Sequence, residues 1–384
     1  PVLTAGKTFI LGYTNEENNI FTELPVIIFD DFTTATKYVN FKFKVKSSAM
    51  KILVPTSDKV NVKYVYYYMQ TIRYNVDTHK SYWISIFSKL NILIAPLPEQ
   101  RAIVAKIEEL FSELDSGIDS LKKARKQLEV YRQSVLKSAF EGKLTNTRLV
   151  DKKISEISLL VTKGSSPKWQ GFDYIEDQNE LIFITSENVR EGYLSFEKAK
   201  YLSLDFNKIQ NRSILKKNDI LFKIVGASIG RAAIFNLDKI ANINQAVAII
   251  RLNNEVSPKY LNYFLNSEIS KQVYLQKQVD VARANLSLQN VNDIEFPFCE
   301  LEEQLQIVAE IETRLSVCDN ILATIEGALE KAGALRQSIL KKAFEGKLLS
   351  NEELEACRRE RDWEPAADLL KRIKEDKKGA KSNG

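Results

Sequence analysis

One histidine, three cysteines and two methionines are all that this chain of 384 residues holds of those types, and no apolar run approaches the ~18 residues a membrane-spanning helix needs. Cys299, Cys318 and Cys357 are too few and too scattered for a disulfide framework or a zinc site, so they read as reduced structural residues. His79 sits in a polar stretch and reads as a surface residue, not as a general base. The N-terminus lacks the charged-then-apolar order of a secretion signal, and a cytoplasmic location follows by default. With Pro1 first, and Met50 and Met69 the two methionines, the sequence is expected to lack its natural start.

Catalytic motifs are missing as well. Gly6-Lys7-Thr8 imitates the end of a phosphate loop, but the position that must hold its first glycine is Pro1. An adenine methyltransferase would show an Asn/Asp-Pro-Pro-aromatic loop beside a glycine-rich cofactor turn, and neither occurs. The acidic stretch GFDYIEDQNE has no Glu-x-Lys to complete a nuclease metal site, and reads as a solvated loop. Charge says little about the body of the chain. The formal net charge is +5, and the final KRIKEDKKGAKSNG carries six basic and two acidic residues, so most of the excess belongs to a tail expected to be solvated and disordered.

What is present is a repeat. Setting Glu99 against Glu303 and running without a gap to Leu144 against Leu348 gives 21 identities in 46 positions, closing on RQSVLKSAFEGKL and RQSILKKAFEGKL. Each copy follows a proline-bearing turn, APLPEQ or FPFCELEEQ, and opens a long helix. Ile103, Ile107, Leu110, Leu114, Ile118, Leu121, Leu128, Tyr131 and Val135 recur at steps of three and four on one stripe. Ile307, Ile311, Leu315, Cys318, Leu322, Ile325, Leu329, Ala332, Leu335 and Ile339 do the same in the second copy. Two narrow stripes on rods this long predict that the helices pack on each other as a coiled coil. Gly142 and Gly346 are expected to close them in the left-handed conformation.

Between the rods the pattern changes to short β-rich runs, LIFIT, DILFKIVG and AVAIIRL, and then the helical SPKYLNYFLNSEISKQVYLQKQ. The region before the first rod echoes it: PVIIF against DILFK, KSSAMKIL against INQAVAII, KYVYYYM against KYLNYFL. The fold class is therefore α+β, with two mixed α/β domains separated by two long helices. The expected boundaries are 1–98 for the first domain, shortened at its N-terminus, 99–146 for the first helix, 151–298 for the second domain, 299–349 for the second helix, and 350–384 for a C-terminal segment and basic tail.

The paired SAFEGKL and KAFEGKL endings, the entry Pro96 to Arg101 with its counterpart Glu302-Glu303-Gln304, and ILFKIVGASIGRAAIF at Ile220 to Phe235 carry a family likeness. So does WEPAADLLKRI, Trp363 to Ile373. The chain resembles the specificity subunit of Type I restriction–modification systems over nearly its whole length. The resemblance implies two target-recognition domains held by antiparallel helices, each reading one half of an asymmetric bipartite DNA site. It implies no catalysis and no cofactor on this chain. Two methyltransferase subunits that bind S-adenosylmethionine would dock on it, and up to two motor-nuclease subunits that use ATP and magnesium would join. Because DNA repeats its face about every 34 Å, two readers at a fixed spacing can address one side of a duplex.

Direct readout takes Arg to guanine and Asn or Gln to adenine, with Lys, Ser and Thr to phosphates. The DNA-binding candidates in the second domain are Lys163, Ser165, Ser166, Lys168, Trp169 and Gln170 on the loop TKGSSPKWQG, with Lys223, Arg231 and Arg283. In the first domain they are Lys7, Thr8, Thr33, Thr34, Lys37, Lys46, Ser47 and Ser48. Tyr64, Tyr66, Tyr67 and Tyr68 read as the core and rim of a helix, not as a base-stacking platform. Glu108 and Glu312, Arg132 and Arg336, and Lys143 and Lys347 match between copies although surface positions drift after duplication, so they are expected to touch the same partner residue twice. A coiled-coil protein-binding scaffold and a stand-alone enzyme are the alternatives. A salt-dependent footprint in two patches would separate the first from a DNA reader, and turnover the second.

Overall fold

The computed structural model describes residues 1–4, 8–45, 50–72, 82–275 and 285–382. Two compact units divide the chain: Pro1–Lys122 together with Ile325–Gly384, and Lys123–Thr324. Among the described residues, no helix is long and apolar enough to cross a membrane.

In the first unit, Val26–Asp30 (β1) is the central strand of an antiparallel sheet, flanked by Thr36–Val39 (β2) and Met50–Leu53 (β3). The helix Val62–Met69 (α1) follows, its first turn capped by Asn61, whose side chain accepts from the Lys63 and Tyr64 N–H groups. Tyr64 is 3% exposed and its hydroxyl donates to Leu93 O at 2.8 Å, while Tyr67 and Tyr68 pack edge-on against Phe111 and Phe344. The tyrosines are core and rim, as their spacing predicts.

The helix Leu97–Phe140 (α2) runs 44 residues without a break. At about 1.5 Å per residue it is about 66 Å long. In the second unit, the strands Ser158–Lys163 (β4), Ile220–Lys223 (β5), Ala232–Ile234 (β6) and Val247–Leu252 (β7) form an antiparallel sheet in the order β6-β5-β7-β4. β5, β6 and β7 repeat the arrangement of β1, β2 and β3, and the helix Pro258–Leu265 (α3) repeats α1. A smaller three-stranded sheet sets Leu181–Ile184 parallel to Ala241–Ile243 and antiparallel to Lys200–Leu202, as Val2–Leu3 in the first unit runs parallel to Phe43–Val45 and antiparallel to Ile10–Gly12. Leu301–Phe344 (α4) is the second unbroken helix of 44 residues. Both long helices end in the same motif. Gly142 and Gly346 stand at φ 72° and 70°, and the next N–H, of Lys143 or Lys347, reaches back to Ser138 O at 2.9 Å or Lys342 O at 2.8 Å.

Within the first unit, Ile103, Val104, Ile107 and Phe111 of α2 share a core with Ile339, Leu340 and Ala343 of α4. Within the second, Val135, Leu136, Ala139 and Phe140 share a larger one with Ile307, Val308, Ile311 and Leu315. Rising numbers on one helix meet falling numbers on the other, so the pair is antiparallel in each unit. The stripes hold with one shared exception. Tyr131 and Leu335, equivalent in the repeat, are 44% and 50% exposed. The next residue takes the seam instead: Arg132 pairs with Asp319 in the second unit, and Arg336 with Asp115 in the first, where its guanidinium also lies 4.3 Å from the Phe111 ring. These pairs are partly exposed, so breaking one by Arg336→Asp is expected to cost about 1 kcal/mol of stability, and adding Asp115→Arg to recover most of it. Denaturant titration of the four proteins in that double-mutant cycle measures the coupling, and additive losses would show that the pair does not couple.

The C-terminal segment corrects an expectation. Residues 366–382 are helical, not disordered: Asn351–Arg358 (α5) and Ala366–Ser382 (α6) pack on the first unit through buried Cys357 and Leu369. Ser57 donates to Asp376 at 2.7 Å, and Arg101 at the start of α2 pairs with both Glu360 and Asp362. The Trp363 indole N–H donates to Glu99 at 3.1 Å. Leu369, fully buried while its neighbour Leu370 is exposed, supplies the apolar contact that the tail's lysines conceal in composition. All three cysteines are buried and free, and burial pushes the Cys299 thiol up to about 11.

Candidate nucleic-acid interface

The antiparallel sheet of the second unit carries the sequence-selected residues to one of its ends. Lys223 closes β5 opposite Val247, the first residue of β7, and Lys163 closes β4 opposite Ala248. Arg231 immediately precedes β6, and the Lys223 N–H donates to its carbonyl at 2.8 Å. Gln245 lies just before β7, with its Oε1 buried and without a hydrogen-bond partner among the described residues. Lys163, Gln245, Lys223 and Arg231 therefore follow the strand order across one edge.

The loop after β4 stays close to this edge because of Gly164, which passes over Ile243 so tightly that a Cβ there would lie 1.8 Å from the Ile243 carbonyl oxygen. Beyond it, Ser165 accepts from the Gln170 side-chain amide at 3.1 Å, and Lys168–Gln170 make one 3-10 turn ended by Gly171 at φ 77°. Trp169 is 77% exposed and Lys168 is exposed, whereas Ser165, Ser166 and Gln170 are half-buried. The Lys223 ammonium donates to Ser228 at 2.6 Å in the loop before Arg231. Burial, and then the neighbouring Arg231 and Arg190 charges, hold the Lys223 ammonium below its usual range, with Glu187 opposing them.

Sequence reasoning missed Arg190. The segment Arg190-Glu191-Gly192-Tyr193 is a tight turn: Val189 bridges to Leu194, the Arg190 N–H donates to Tyr193 O at 3.0 Å, and Gly192 adopts φ 87°. The Gly192 N–H donates to Ala232 O at 2.9 Å, which places the turn beside Arg231. The available signal was a lone glycine between apolar Val189 and Leu194, a hairpin mark. Arg283 lies outside the described residues.

In the first unit, Asp30 stands where Lys223 stands in the second. It closes β1 opposite Met50, and its N–H donates across the hairpin to Ala35 O at 2.9 Å. Its carboxylate accepts from the Phe32 N–H at 2.9 Å, folding Thr33 and Thr34 into the turn, with Thr34 at φ 57°. Lys37 is exposed on β2 with its ammonium 5.9 Å from the Phe9 ring centroid, and Thr8 is exposed in the loop before that ring. Lys7, Lys46, Ser47, Ser48 and His79 lie outside the described residues.

The six residues matched between copies all enter intrachain pairs, duplicated in kind. Lys63 on α1 meets Glu108 at 2.6 Å, and Lys259 on α3 meets Glu312 at 2.7 Å. Arg132 and Arg336 take the interhelix aspartates already described, and Lys143 and Lys347 meet Glu141 at 2.7 Å and Glu345 at 2.9 Å. Their identity between copies thus has a reason inside each unit. A further repeat lies deeper: Gln100 and Gln304, both 0% exposed. Gln304 accepts from the Ser257 N–H at 2.9 Å and donates to Glu255 O and Cys299 O at 2.9 and 2.8 Å. Gln100 accepts from the Asn61 N–H at 2.9 Å and donates to Lys59 O and Ala95 O at 3.3 and 2.8 Å.

A family described as the Type I restriction modification DNA specificity domain matches residues 150–331. The chain is 30% identical over 357 residues to the specificity subunit of the type I restriction enzyme EcoR124I/EcoR124II of Escherichia coli, covering 88% of this chain and 83% of that subunit. The chain belongs to the family of type I restriction enzyme specificity subunits. The EcoBI specificity subunit of Escherichia coli is 28% identical over 400 residues, covering 97% of this chain and 83% of that one. Among solved structures, a chain from a study of complex assembly and conformational transition in the type I R-M system superposes with a TM-score of 0.66 at 17% identity, over 84% of this chain and 82% of that one. The HsdS subunit from Thermoanaerobacter tengcongensis gives 0.53 at 18% identity, over 87% and 84%. These two share the fold of long helices and mixed α/β domains. As a specificity subunit, the chain is the DNA-recognition component of a type I restriction–modification system and not its catalyst.

Proposed function

We propose that each unit reads one half of an asymmetric, bipartite DNA site, and that the repeated helical framework docks two methyltransferase subunits, to which motor-nuclease subunits can add. One observation carries this reading: the framework is duplicated contact for contact, while the strand end facing the recognition loops is not. The buried glutamine and the Lys–Glu pair occur in both units, yet Lys223 in one is replaced by the self-capped Asp30 in the other. A common frame suits a common partner bound twice, and unlike strand ends suit unlike half-sites. In the second unit, Lys163, the loop 165–170, Lys223 and Arg231 form the DNA-facing edge; in the first, Thr8, Thr33, Thr34 and Lys37 are the described candidates. S-adenosylmethionine, ATP and magnesium belong to the partners, acting with this chain in the cytoplasm.

The test is methylation-site sequencing of DNA treated with the chain and its methyltransferase partner. The expected product is modification at one bipartite motif with unlike halves and a run of unread bases between them. A palindromic or continuous motif would overturn the proposal. Reversing the charge of Arg132 and Arg336 together asks whether the repeated framework also carries the docking surface, and normal assembly with the methyltransferase would move that surface elsewhere.

A further inference from the structure

Arg190 and Arg231 line one recess of about 300 Å³, with Glu191, Tyr193, Ser195 and Glu197 completing its wall. Both arginines are half-buried, and neither guanidinium makes an ion pair or side-chain hydrogen bond among the described residues. Lys223 lies within electrostatic reach of both. The Lys223 ammonium is therefore half-withdrawn from water beside two guanidiniums, with Glu187 opposing them, and an acceptor entering here relieves it.

The rim decides which acceptor fits. A phosphodiester brings only negative oxygens, which Glu191 and Glu197 repel. A G·C pair brings, on its major-groove edge, the N7 and O6 acceptors of guanine beside the amino donor of cytosine. A guanidinium fork matches the first and a carboxylate the second. The backbone is fixed for the task, since the Arg190–Tyr193 turn is bridged on itself and hydrogen-bonded to Ala232, and Tyr193, 61% exposed, projects from it.

We propose that the Arg190–Tyr193 turn is a base-reading element of the second unit, and that Arg190 and Arg231, with a flanking glutamate, read a G·C pair in the half-site of that unit. This rests on the bipartite reading above and adds the identity of one base pair and the residues that select it.

The experiment compares methylation-site sequencing for complexes of the full chain with its methyltransferase, carrying wild type, Arg190→Ala, Arg231→Ala or Lys163→Ala. Each arginine variant is expected to relax one G·C position in one half-site, raising the relative use of A·T there on the order of 10- to 100-fold. The other half-site stays unchanged and serves as the internal control for folding and assembly. Lys163→Ala is expected to weaken all sequences evenly and to lower the salt dependence, the mark of a phosphate contact. Where a variant methylates too little DNA to sequence, competition binding of the complex to duplexes altered one position at a time reads the same loss. An even loss with a shallower salt slope for the arginine variants would assign them to phosphates, and an unchanged motif would remove them from base reading. A wild-type complex without a bipartite motif fails the earlier reading before any variant is compared.

Discussion

Gln304→Ala is expected to cost the second unit about 3–5 kcal/mol, since it strands two buried backbone groups and a third that is part-buried at about 1–3 kcal/mol each, less what a water in the vacated space recovers. The side chain is 0% exposed and joins the N–H of Ser257 to the carbonyls of Glu255 and Cys299, so it ties the start of α3 and the last turn before α4 to one point. Gln100→Ala is expected to cost the first unit somewhat less, because one of its three bonds is longer, 3.3 Å to Lys59 O. Hydrogen exchange resolves the two effects: the Ser257 amide should lose protection in one variant and the Asn61 amide in the other. A loss below about 1 kcal/mol in denaturant titration, with both amides still protected, would show that the clamps are incidental.

Gly164→Ala is expected to remove second-half recognition while leaving the first half intact, with a stability cost of about 2–4 kcal/mol. The added Cβ would meet Ile243 O at 1.8 Å, Ile243 C at 2.4 Å and Asn244 O at 2.8 Å, all of them backbone. Ile243 is fully buried on a strand paired with Leu181–Ile184, so the clash is relieved by lifting the loop that holds Ser165, Lys168, Trp169 and Gln170. Thermal melting and methylation-site sequencing together check this. A stable variant with an unaltered motif would show that the loop takes no part in reading.

Much of this was legible in the sequence because it depends on short-range pattern. The repeat, the helix ends at Gly142 and Gly346 and the buried role of the tyrosines follow from spacing and from local conformational rules. What escaped depends on partners distant in sequence. Gln100 and Gln304 lie within the aligned repeat, but their hydrogen-bond partners on the preceding helix start lie 39 and 47 residues away, beyond any periodicity. Tyr131 and Leu335 fit an apolar stripe, and only the aspartate on the facing helix makes the following arginine the better seam residue. At the recognition edge, Lys163, Lys223 and Arg231 were chosen by residue type and were gathered by strand register, which also brought in Arg190 from a turn that type alone had not marked. Basic composition hid the tail helix, since lysines that face water say nothing of the buried Leu369 among them.

Trp363 meets Glu99, Arg101 meets Asp362, and Cys357 Sγ lies 3.8 Å from Pro98 O, so the first unit closes on itself across some 260 positions of chain. The second unit is contiguous, from Lys123 to Thr324. During synthesis the second half can thus settle as soon as it leaves the ribosome, whereas the first must wait for residues made after the second. A nascent chain halted after Thr324 would hold a finished second unit beside an open first one, and the order of birth would run opposite to the order of folding.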